Sequence, residues 1–466
     1  IAGATLPLLA SLSAKSLVRR EESGRYNLHE VIRQYAYSHL REDSCAPATN
    51  GLHSDYYLKF LASHQDALKS SAQQETLRKL VDEIDNIRTA WTWAVRHREF
   101  KLLGLAGRGF GWFFEIAGLY SEGIEEFQTL LQELRVCSQE HERDRLLGIA
   151  LIQQGLLHFR KGEFQPAQKL YEESVSILRP VGDQALLADA LIYLGMIVHL
   201  GGDFSRSGEL MEEGLSLTRA SGARWLEAYA IYNLGYLASL KGLYVEGYEQ
   251  MIAGLAIWRA VGDPHSIALG LNFMVPTLIE LGRYEEARTY MLESIELCEQ
   301  SRNRWGMGTA YSYLGLAIMA AGHYKEAQDH LQKSLEIFRE YIVGWNIARS
   351  LAYLGDASLL AGDLTRAGKE YRDALCSALD ANSLPIALDA IFGLGAIKAR
   401  IGKSEGALML SYYVLNHCSS EEGTKSRAKQ LRDEMEVALS RRQSQDARAM
   451  AAEKPFDWIV QEALEE

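Results

Sequence analysis

The stretch Gly315–Ala327, GLAIMAAGHYKEA, decides the fold, because four of its positions return at a fixed interval along the chain. The glycine at 315 is followed by a second glycine at 322, an aromatic residue at 324 and a small residue at 327. This order recurs every 40 residues in seven successive rows, the first of which starts at Ala150. Self-similarity at a fixed period of roughly 20 to 50 residues indicates a repeat architecture.

Each column of the pattern has a physical use in a pair of helices. The first glycine lets the two helices approach closely; it stands at Gly155, Gly195, Gly235, Gly315, Gly355 and Gly395, with Val275 as the exception. The second glycine supplies the positive φ that ends the first helix; it stands at Gly162, Gly202, Gly242, Gly282, Gly322, Gly362 and Gly402. The aromatic column that staples the turn holds Phe164, Phe204, Tyr244, Tyr284, Tyr324 and Leu364, with Ser404 departing from it. The small column, where the helices cross, holds Ala167, Ser207, Gly247, Ala287, Ala327, Ala367 and Ala407.

The apolar residues of each row follow helical spacing, and neither helix can bury its stripe alone. The sequence therefore predicts an all-α solenoid, in which helix pairs stack into a superhelix. A degenerate unit precedes the seven rows, about four residues out of register; it carries Gly118, Tyr120, Gly123 and Phe127. After Cys418 the pattern lapses, and residues 419–466 are predicted to form a helical cap, with a last short helix after Pro455.

The glycine–aromatic–small pattern resembles tetratricopeptide repeats, and the resemblance covers residues 101–418. The usual repeat of that family has about 34 residues, and the 40-residue form looks like the longer-helix variety of bacterial regulators. The resemblance implies a right-handed superhelix of helix pairs that binds partners on its concave face. Fold alone does not give function, so the partner stays open.

Residues 1–45 read as a helix, a hairpin around Glu22–Gly24 and a second helix that starts near His29. The string LLASLSAKSLVRREESGRYNLHEVIRQYAYSHL at 8–40 is similar to the end of the winged helix in STAND-type signalling ATPases, and residues 46–100 resemble the helical bridge that follows it. The resemblance implies a piece of a longer, bacterial signal-transducing regulator of transcription. No GxxxxGK[ST] motif occurs in this sequence, so the chain is not expected to hold a nucleotide by itself, and no cofactor is expected.

His29 has two interpretations. In the STAND family a Met-His-Asp-like motif lies here and its histidine senses the phosphate of the bound nucleotide; the present residues are Leu28-His29-Glu30. The resemblance thus implies a nucleotide-sensing role for His29 in the full-length protein only. The alternative is a histidine that packs and caps the start of a helix.

Composition excludes several functions. The net charge is −12, so a nucleic-acid surface is not expected, since phosphate binding needs clustered Lys and Arg. Five widely spaced cysteines and no CxxC argue against disulfides and a zinc site, and they fit a reducing, cytoplasmic location. No apolar run is long enough for a membrane helix.

One face of the first helices, offset from the Leu/Ile stripe, concentrates aromatic and amide side chains. Such a makeup is typical of a recognition surface for a protein, peptide or small-molecule inducer. The alternative is that these rings only fill wide helix–helix seams. The candidate residues are Tyr193, Trp225, Tyr229, Tyr232, Asn233, Tyr236, Asn272, Phe273, Trp305, Tyr313, Trp345, Arg349, Tyr353, Asp356, Asp389 and Phe392.

Three functional hypotheses follow. The first is a sensor arm that binds a ligand or protein and alters its packing against the ATPase module of the parent protein. The second is a passive protein–protein scaffold without switching. The third, an enzyme built on the repeats, has little support, because Asp356 and Asp389 share their face with Arg349 and Arg400 and look like ion pairs lining a groove. The chain is therefore predicted to have no catalytic and no metal site.

Overall fold

The computed structural model describes residues 5–21, 24, 26–42, 46–301, 303–341 and 344–465, and most of them lie in helices. The N-terminal elements are α1 (Leu6–Ala14), β1 (Arg19–Arg20), β2 (Tyr26–Asn27) and α2 (Glu30–Glu42). The bridge consists of α3 (Ala46–His64), a 3-10 turn (Asp66–Lys69), α4 (Gln73–Asp82) and α5 (Ile84–His97). The degenerate unit is the helix pair α6 (Phe100–Ala117) and α7 (Tyr120–Arg135).

The seven rows form seven helix pairs, as the sequence predicts. The first, or A, helices are α8 (His141–Arg160), α10 (Gln184–Leu200), α12 (Arg224–Leu240), the broken helix α14 (Pro264–Phe273) with α15 (Val275–Glu280), α17 (Arg304–Ala320), α19 (Gly344–Leu360) and α21 (Leu384–Arg400). The second, or B, helices are α9 (Phe164–Val181), α11 (Phe204–Ser221), α13 (Tyr244–Val261), α16 (Tyr284–Ser301), α18 (Tyr324–Tyr341), α20 (Leu364–Asp380) and α22 (Ser404–Asn416). The chain ends in α23 (Glu422–Ala438), α24 (Arg441–Glu453) and α25 (Phe456–Leu464).

The two glycine columns do what the sequence predicts. A Cβ on Gly315 would lie 2.6 Å from Leu331 Cγ of the paired B helix, so only glycine permits this approach. Gly322, which ends α17, has φ 91°, and all seven glycines of its column have positive φ. The A and B helices of a row therefore pack with almost no space between their backbones.

Pro276 breaks one A helix. The helix α14 ends at Phe273 and α15 begins at Val275, so the row contains two short helices instead of one. Proline has no N–H to give to the carbonyl of Asn272, which would be its helical partner, and its ring crowds that carbonyl. The proline therefore interrupts this A helix.

The superhelix closes on itself, which periodicity alone does not predict. A Cβ on the turn residue Gly262 would lie 3.1 Å from Ser71 Cβ, so the bridge touches the turn after the third row. At the other end, a Cβ on Gly202 would clash with Ser419 at 2.3 Å, and one on Gly242 would lie 2.9 Å from Glu422 Cγ. Segments at both ends of the array thus contact turns near its middle.

The N-terminal elements follow the predicted order of helix, hairpin and helix. Strand β1 pairs antiparallel with β2, with Arg20 opposite Tyr26. Glu22 and Ser23, in the predicted hairpin turn, lie outside the described residues, as does Cys45. Helix α1 buries none of its side chains, and the segment meets the remaining structure where α2 contacts α3. Within the described part of the chain, no helix is long and apolar enough to cross a membrane.

Candidate binding channel

The A helices turn one face toward the axis of the superhelix, and the space they enclose is called the inner channel here. The predicted aromatic residues lie on this face because positions 40 residues apart share a place in successive rows. Trp225, Trp305 and Trp345 form one such column, and Tyr193, Phe273, Tyr313 and Tyr353 belong to another. The repeat therefore lines the channel with rows of rings.

The rings contact one another from row to row. Tyr193 stacks on Tyr171 with centroids 5.6 Å apart and contacts Tyr229 at 5.5 Å. Farther along the channel, Phe273 lies 5.7 Å from Tyr313, which lies 6.3 Å from Tyr353. Contacts of this geometry stabilise a pair by about 0.5–1.5 kcal/mol beyond the burial of area. These aromatic residues thus connect rows as well as line a surface.

The structure divides the sixteen predicted residues among three places. Those around an apolar cavity are Tyr229, Tyr232, Asn233, Tyr236, Phe273, Trp305 and Trp345. Those around a larger polar space are Arg349, Tyr353, Asp356, Asp389 and Phe392. The remaining four lie in seams: Tyr193 and Tyr313 between rings, Trp225 against Trp112 and Asp263, and Asn272 against Ser294. Most of the sixteen side chains are buried, while Trp225, Asn233, Tyr236, Phe273 and Asp356 are half-buried.

The apolar cavity, called the aromatic pocket here, has a volume of about 80 Å³. Its walls come from rows one to six, including Phe159 of α8 and Trp345 of α19. The indole N–H of Trp258 is buried in the pocket wall and has no hydrogen-bond partner among the described residues. Because buried polar groups are normally paired, an unpaired donor in this wall is unusual.

Asn233 explains why the pocket lies at this place. Its column holds Tyr193, Phe273, Tyr313 and Tyr353 in other rows, so an aromatic ring is missing at this position. The Asn233 side chain donates from Nδ2 to the carbonyl oxygen of Tyr229 at 2.7 Å, which holds it against its own helix. The smaller residue thus leaves the space that a ring would fill.

A buried cluster of charges lies at one end of the pocket. Glu115 accepts from Lys69 at 3.2 Å and from Arg160 at 2.9 Å, and all three side chains are almost fully buried. Burial opposes the ionisation of Glu115, but the Lys69 ammonium and the Arg160 guanidinium hold its pKa well below the usual range. Arg160 also lies 5.4 Å from the ring of Trp305, which belongs to the A helix four rows farther along. The bridge and row one are thereby fixed to the middle of the array.

The larger space, called the charged channel here, has a volume of about 580 Å³. Arg349 of α19 donates to Asp389 of α21 at 3.1 Å, so the ion pair expected from the sequence is present. Tyr371 donates to Asp356 Oδ1 at 2.6 Å. Burial raises the pKa of Asp356, an effect that the Arg427 guanidinium opposes.

Helix α23 forms one wall of the charged channel and supplies residues that sequence reasoning missed. Arg427 donates to Asp356 at 3.2 Å and to Asp389 at 2.5 Å. Thr424 donates to Asp389 at 2.6 Å, and Glu421 accepts from Arg349 at 3.0 Å. Helix α21 begins at position 384, and one 40-residue period later is position 424. Helix α23 begins two residues before that position, so extending the period of the array could have predicted this helix.

His29 lies at the start of α2, where its Nδ1 accepts the backbone N–H of Val31 at 3.4 Å, and its side chain is exposed. This contact is the one that the capping interpretation requires. Within the described residues, no group of three His, Cys, Asp or Glu side chains could hold a metal ion.

Comparisons with known proteins agree with this architecture. The tetratricopeptide repeat family profile matches residues 271–340, which span the broken row and most of the next. No curated protein matches the sequence. The all-α, tetratricopeptide-like solenoid predicted from the repeat is confirmed.

Two solved structures illustrate the likeness. The first is a STAND protein with a tetratricopeptide repeat sensor from Pyrococcus horikoshii, with 15% identity and a TM-score of 0.50 over 96% of this chain. The present chain spans 60% of the length of that protein. The second is a Rap conjugation gene regulator of a plasmid, in complex with a Phr-type peptide, with 11% identity and a TM-score of 0.51 over 73% of this chain and 98% of that one. At these identities the likeness concerns the fold.

Proposed function

We propose that this chain is the sensor arm of a STAND-type signal-transducing ATPase and that it binds a peptide or small-molecule inducer in its inner channel. The observation that carries the proposal is the aromatic pocket. It is concave and apolar, is assembled from six rows and has the side chains of Asn233 and Asn346 among its lining. Ligand sites are typically apolar concavities with a few polar groups that fix orientation.

Two further observations support the STAND assignment. Residues 8–40 resemble the segment that precedes the repeats in that family, and they form a helix, a hairpin and a helix. The fold of the array is like that of the Pyrococcus STAND protein, which has a tetratricopeptide repeat sensor. In this proposal the ATPase module belongs to the parent protein, and His29 senses its nucleotide there.

The test of the pocket is a thermal-shift screen of this chain against peptides, sugars and nucleotides. A ligand present at 100 times its Kd should stabilise the folded chain by about 2.7 kcal/mol. The decisive variant is Asn233→Tyr, which restores the ring found elsewhere in this column and fills the pocket. We expect it to abolish the shift while the protein stays folded.

The matched control is Glu212→Tyr, which adds the same ring to the exposed face of α11. The control should keep the full thermal shift. A ligand that stabilises the Asn233→Tyr variant as well as the wild type would contradict the proposed site. A blank in all three ligand classes would instead favour the passive scaffold for a macromolecular partner.

Switching is tested in the full-length protein. A sensor can shift its parent between states only if the ligand binds those states unequally. We therefore expect the ligand found in the screen to change the ATPase rate of the full-length protein, and Asn233→Tyr to remove this response. If the ligand binds but leaves the ATPase rate and the oligomeric state unchanged, the result would favour the passive scaffold over the sensor.

A further inference from the structure

Helix α23, which forms one wall of the charged channel, also covers its acidic residues. The inward side of α23 places Arg427 between two carboxylates, those of Asp356 and Asp389. The Arg427 guanidinium also lies 4.8 Å from the ring of Phe392. One turn and a half earlier, Glu421 pairs with Arg349. Helix α23 thus presents first an acidic and then a basic side chain to the charged channel.

Helix α23 is held less firmly than the A helices before it. Helix α23 packs on α22 as each A helix packs on the B helix before it, but it lacks the B helix that follows each A helix in the seven rows, because α24 packs on α22 and α25 on α21. The side chains that α23 buries are those of Thr424, Ala428 and Leu431, and its others are half-buried or exposed. Its attachment therefore combines packing on α22 with the charged contacts to the channel.

The start of α23 also separates the two spaces of the inner channel. Glu421 lies with His199, Tyr236 and Trp345 around a narrow gap between the aromatic pocket and the charged channel. The adjacent Glu422 contacts the turn at Gly242, which closes the superhelix at this point. Moving the start of α23 away would join the two spaces into one continuous groove.

We propose that residues 419–438 are a displaceable wall of the charged channel and that the inducer is a peptide that takes their place by presenting the same charges. This inference rests on the proposed sensor function and specifies its ligand. The peptide offers a basic side chain to Asp356 and Asp389 and a carboxylate to Arg349. Release of α23 then opens the path to the aromatic pocket.

Charge complementarity is the reason for choosing a basic peptide. Asp389 is 7% exposed and the side chain of Asp356 is 15% exposed, so two nearly buried carboxylates face each other when Arg427 leaves. Arg349 remains paired with Asp389 when Glu421 leaves, so the two carboxylates and one guanidinium keep a net negative charge. Buried charges are stable when they are paired, so the vacated site favours a ligand with a guanidinium or ammonium group.

The probe is a fluorescein-labelled synthetic peptide with the sequence of residues 420–433, SEEGTKSRAKQLRD. Its binding to the complete 466-residue chain is measured by fluorescence anisotropy. The Arg427→Gln variant of the protein vacates the carboxylate pair, and we expect it to bind the probe at least tenfold more tightly than the wild type. A second probe that carries the same Arg427→Gln change should lose at least tenfold in affinity for this variant.

Two controls separate the charged site from general effects. Arg432, on the same helix, pairs with Asp433 outside the charged channel, so Arg432→Gln should bind the probe as the wild type does. Adding Asp389→Asn to Arg427→Gln should remove the gain. Equal affinity of the wild type and the Arg427→Gln variant for the probe would overturn the inference.

A second measurement does not depend on the stability of a variant. Saturating probe added to the wild type should increase amide hydrogen exchange in residues 422–438, since the displaced helix loses its contacts. Unchanged exchange in that helix at saturation would also overturn the inference. Because this probe need not enter the aromatic pocket, these results are independent of the ligand screen with Asn233→Tyr, and the failure of one proposal is distinguishable from the failure of the other.

Discussion

At the scale of single residues, His199 shows how the aromatic lining controls the ionisation of a side chain. It is buried in the wall of the aromatic pocket, and its ring lies 5.6 Å from that of Tyr236. Burial lowers the pKa of His199 to about 4. In the unfolded chain the imidazole takes up a proton at its ordinary pKa of about 6.5, so the unfolded state binds more protons between these two values.

The contribution of the neutral His199 to the free energy of unfolding should therefore be fully present above pH 6.5. It should be lost as the pH falls toward 4. Linkage gives a loss of about 2 kcal/mol between pH 7 and pH 5. The variant His199→Leu, which carries the residue of position 359 in the same column, should lack this loss. Urea unfolding of both proteins at the two pH values measures the difference, and parallel curves for the two would contradict the assignment.

At the scale of the element, the packing of an A helix on its B helix depends on the first glycine column. We expect Gly315→Ala to destabilise the protein by about 1–3 kcal/mol, because the added methyl group would overlap with Leu331. Gly104→Ala is the matched control, since Gly104 also lies inside a helix and its Cβ would meet its nearest neighbour at 3.8 Å. It should be neutral or stabilising, because alanine favours the helix.

Thermal unfolding of the two variants checks this pair. If the Gly315→Ala protein is as stable as the Gly104→Ala protein, the prediction is wrong, because α17 and α18 can then move apart without a loss of stability. The broken row offers an informative contrast, since it carries Val275 in the glycine column and Pro276 next to it. In this row the residue at the glycine position is a valine, and the A helix is interrupted there.

At the scale of the whole molecule, Glu115 holds together parts of the chain that are far apart in sequence. We expect Glu115→Gln to lower the free energy of unfolding by about 3–5 kcal/mol, because Lys69 and Arg160 would stay buried without a counter-charge. Hydrogen exchange should rise in residues 66–73 and also around Asp263, to which Gln73 donates at 3.0 Å. The outer-face variant Glu173→Gln, which removes a partly exposed pair with Arg135, should cost less than about 1 kcal/mol.

Exchange that rises in only one of the two segments would show that the bridge and row three open independently. In an open solenoid each repeat contacts only its neighbours, and such independence is the rule. Here the bridge contacts row three through Gln73 and Asp263, and the chain segment after row seven touches the turn at Gly202. We therefore expect the ends and the middle of this array to open together.

Much of this structure could be predicted from the sequence, for a physical reason. The glycine columns act between neighbouring helices, so a pattern with a fixed period determines each row and its stacking. The bend that brings Ser71 close to Gly262 is the total of small rotations between successive rows, so no single residue determines it. The aromatic columns were predicted to face the axis, but the curvature decides how deeply Tyr232 or Trp345 is buried. Arg427 was missed because its partners belong to other rows.

The closure of the superhelix also has a consequence for how such a chain can change during evolution. Arrays of this kind commonly gain or lose whole units by duplication or deletion, because a new unit only extends the stack. In this chain an additional 40-residue unit between Gly262 and Trp305 would carry Glu422 past the turn at Gly242 and would part Arg160 from Trp305. The number of units is thus fixed by contacts between its distant parts, as the number of blades is in a closed propeller.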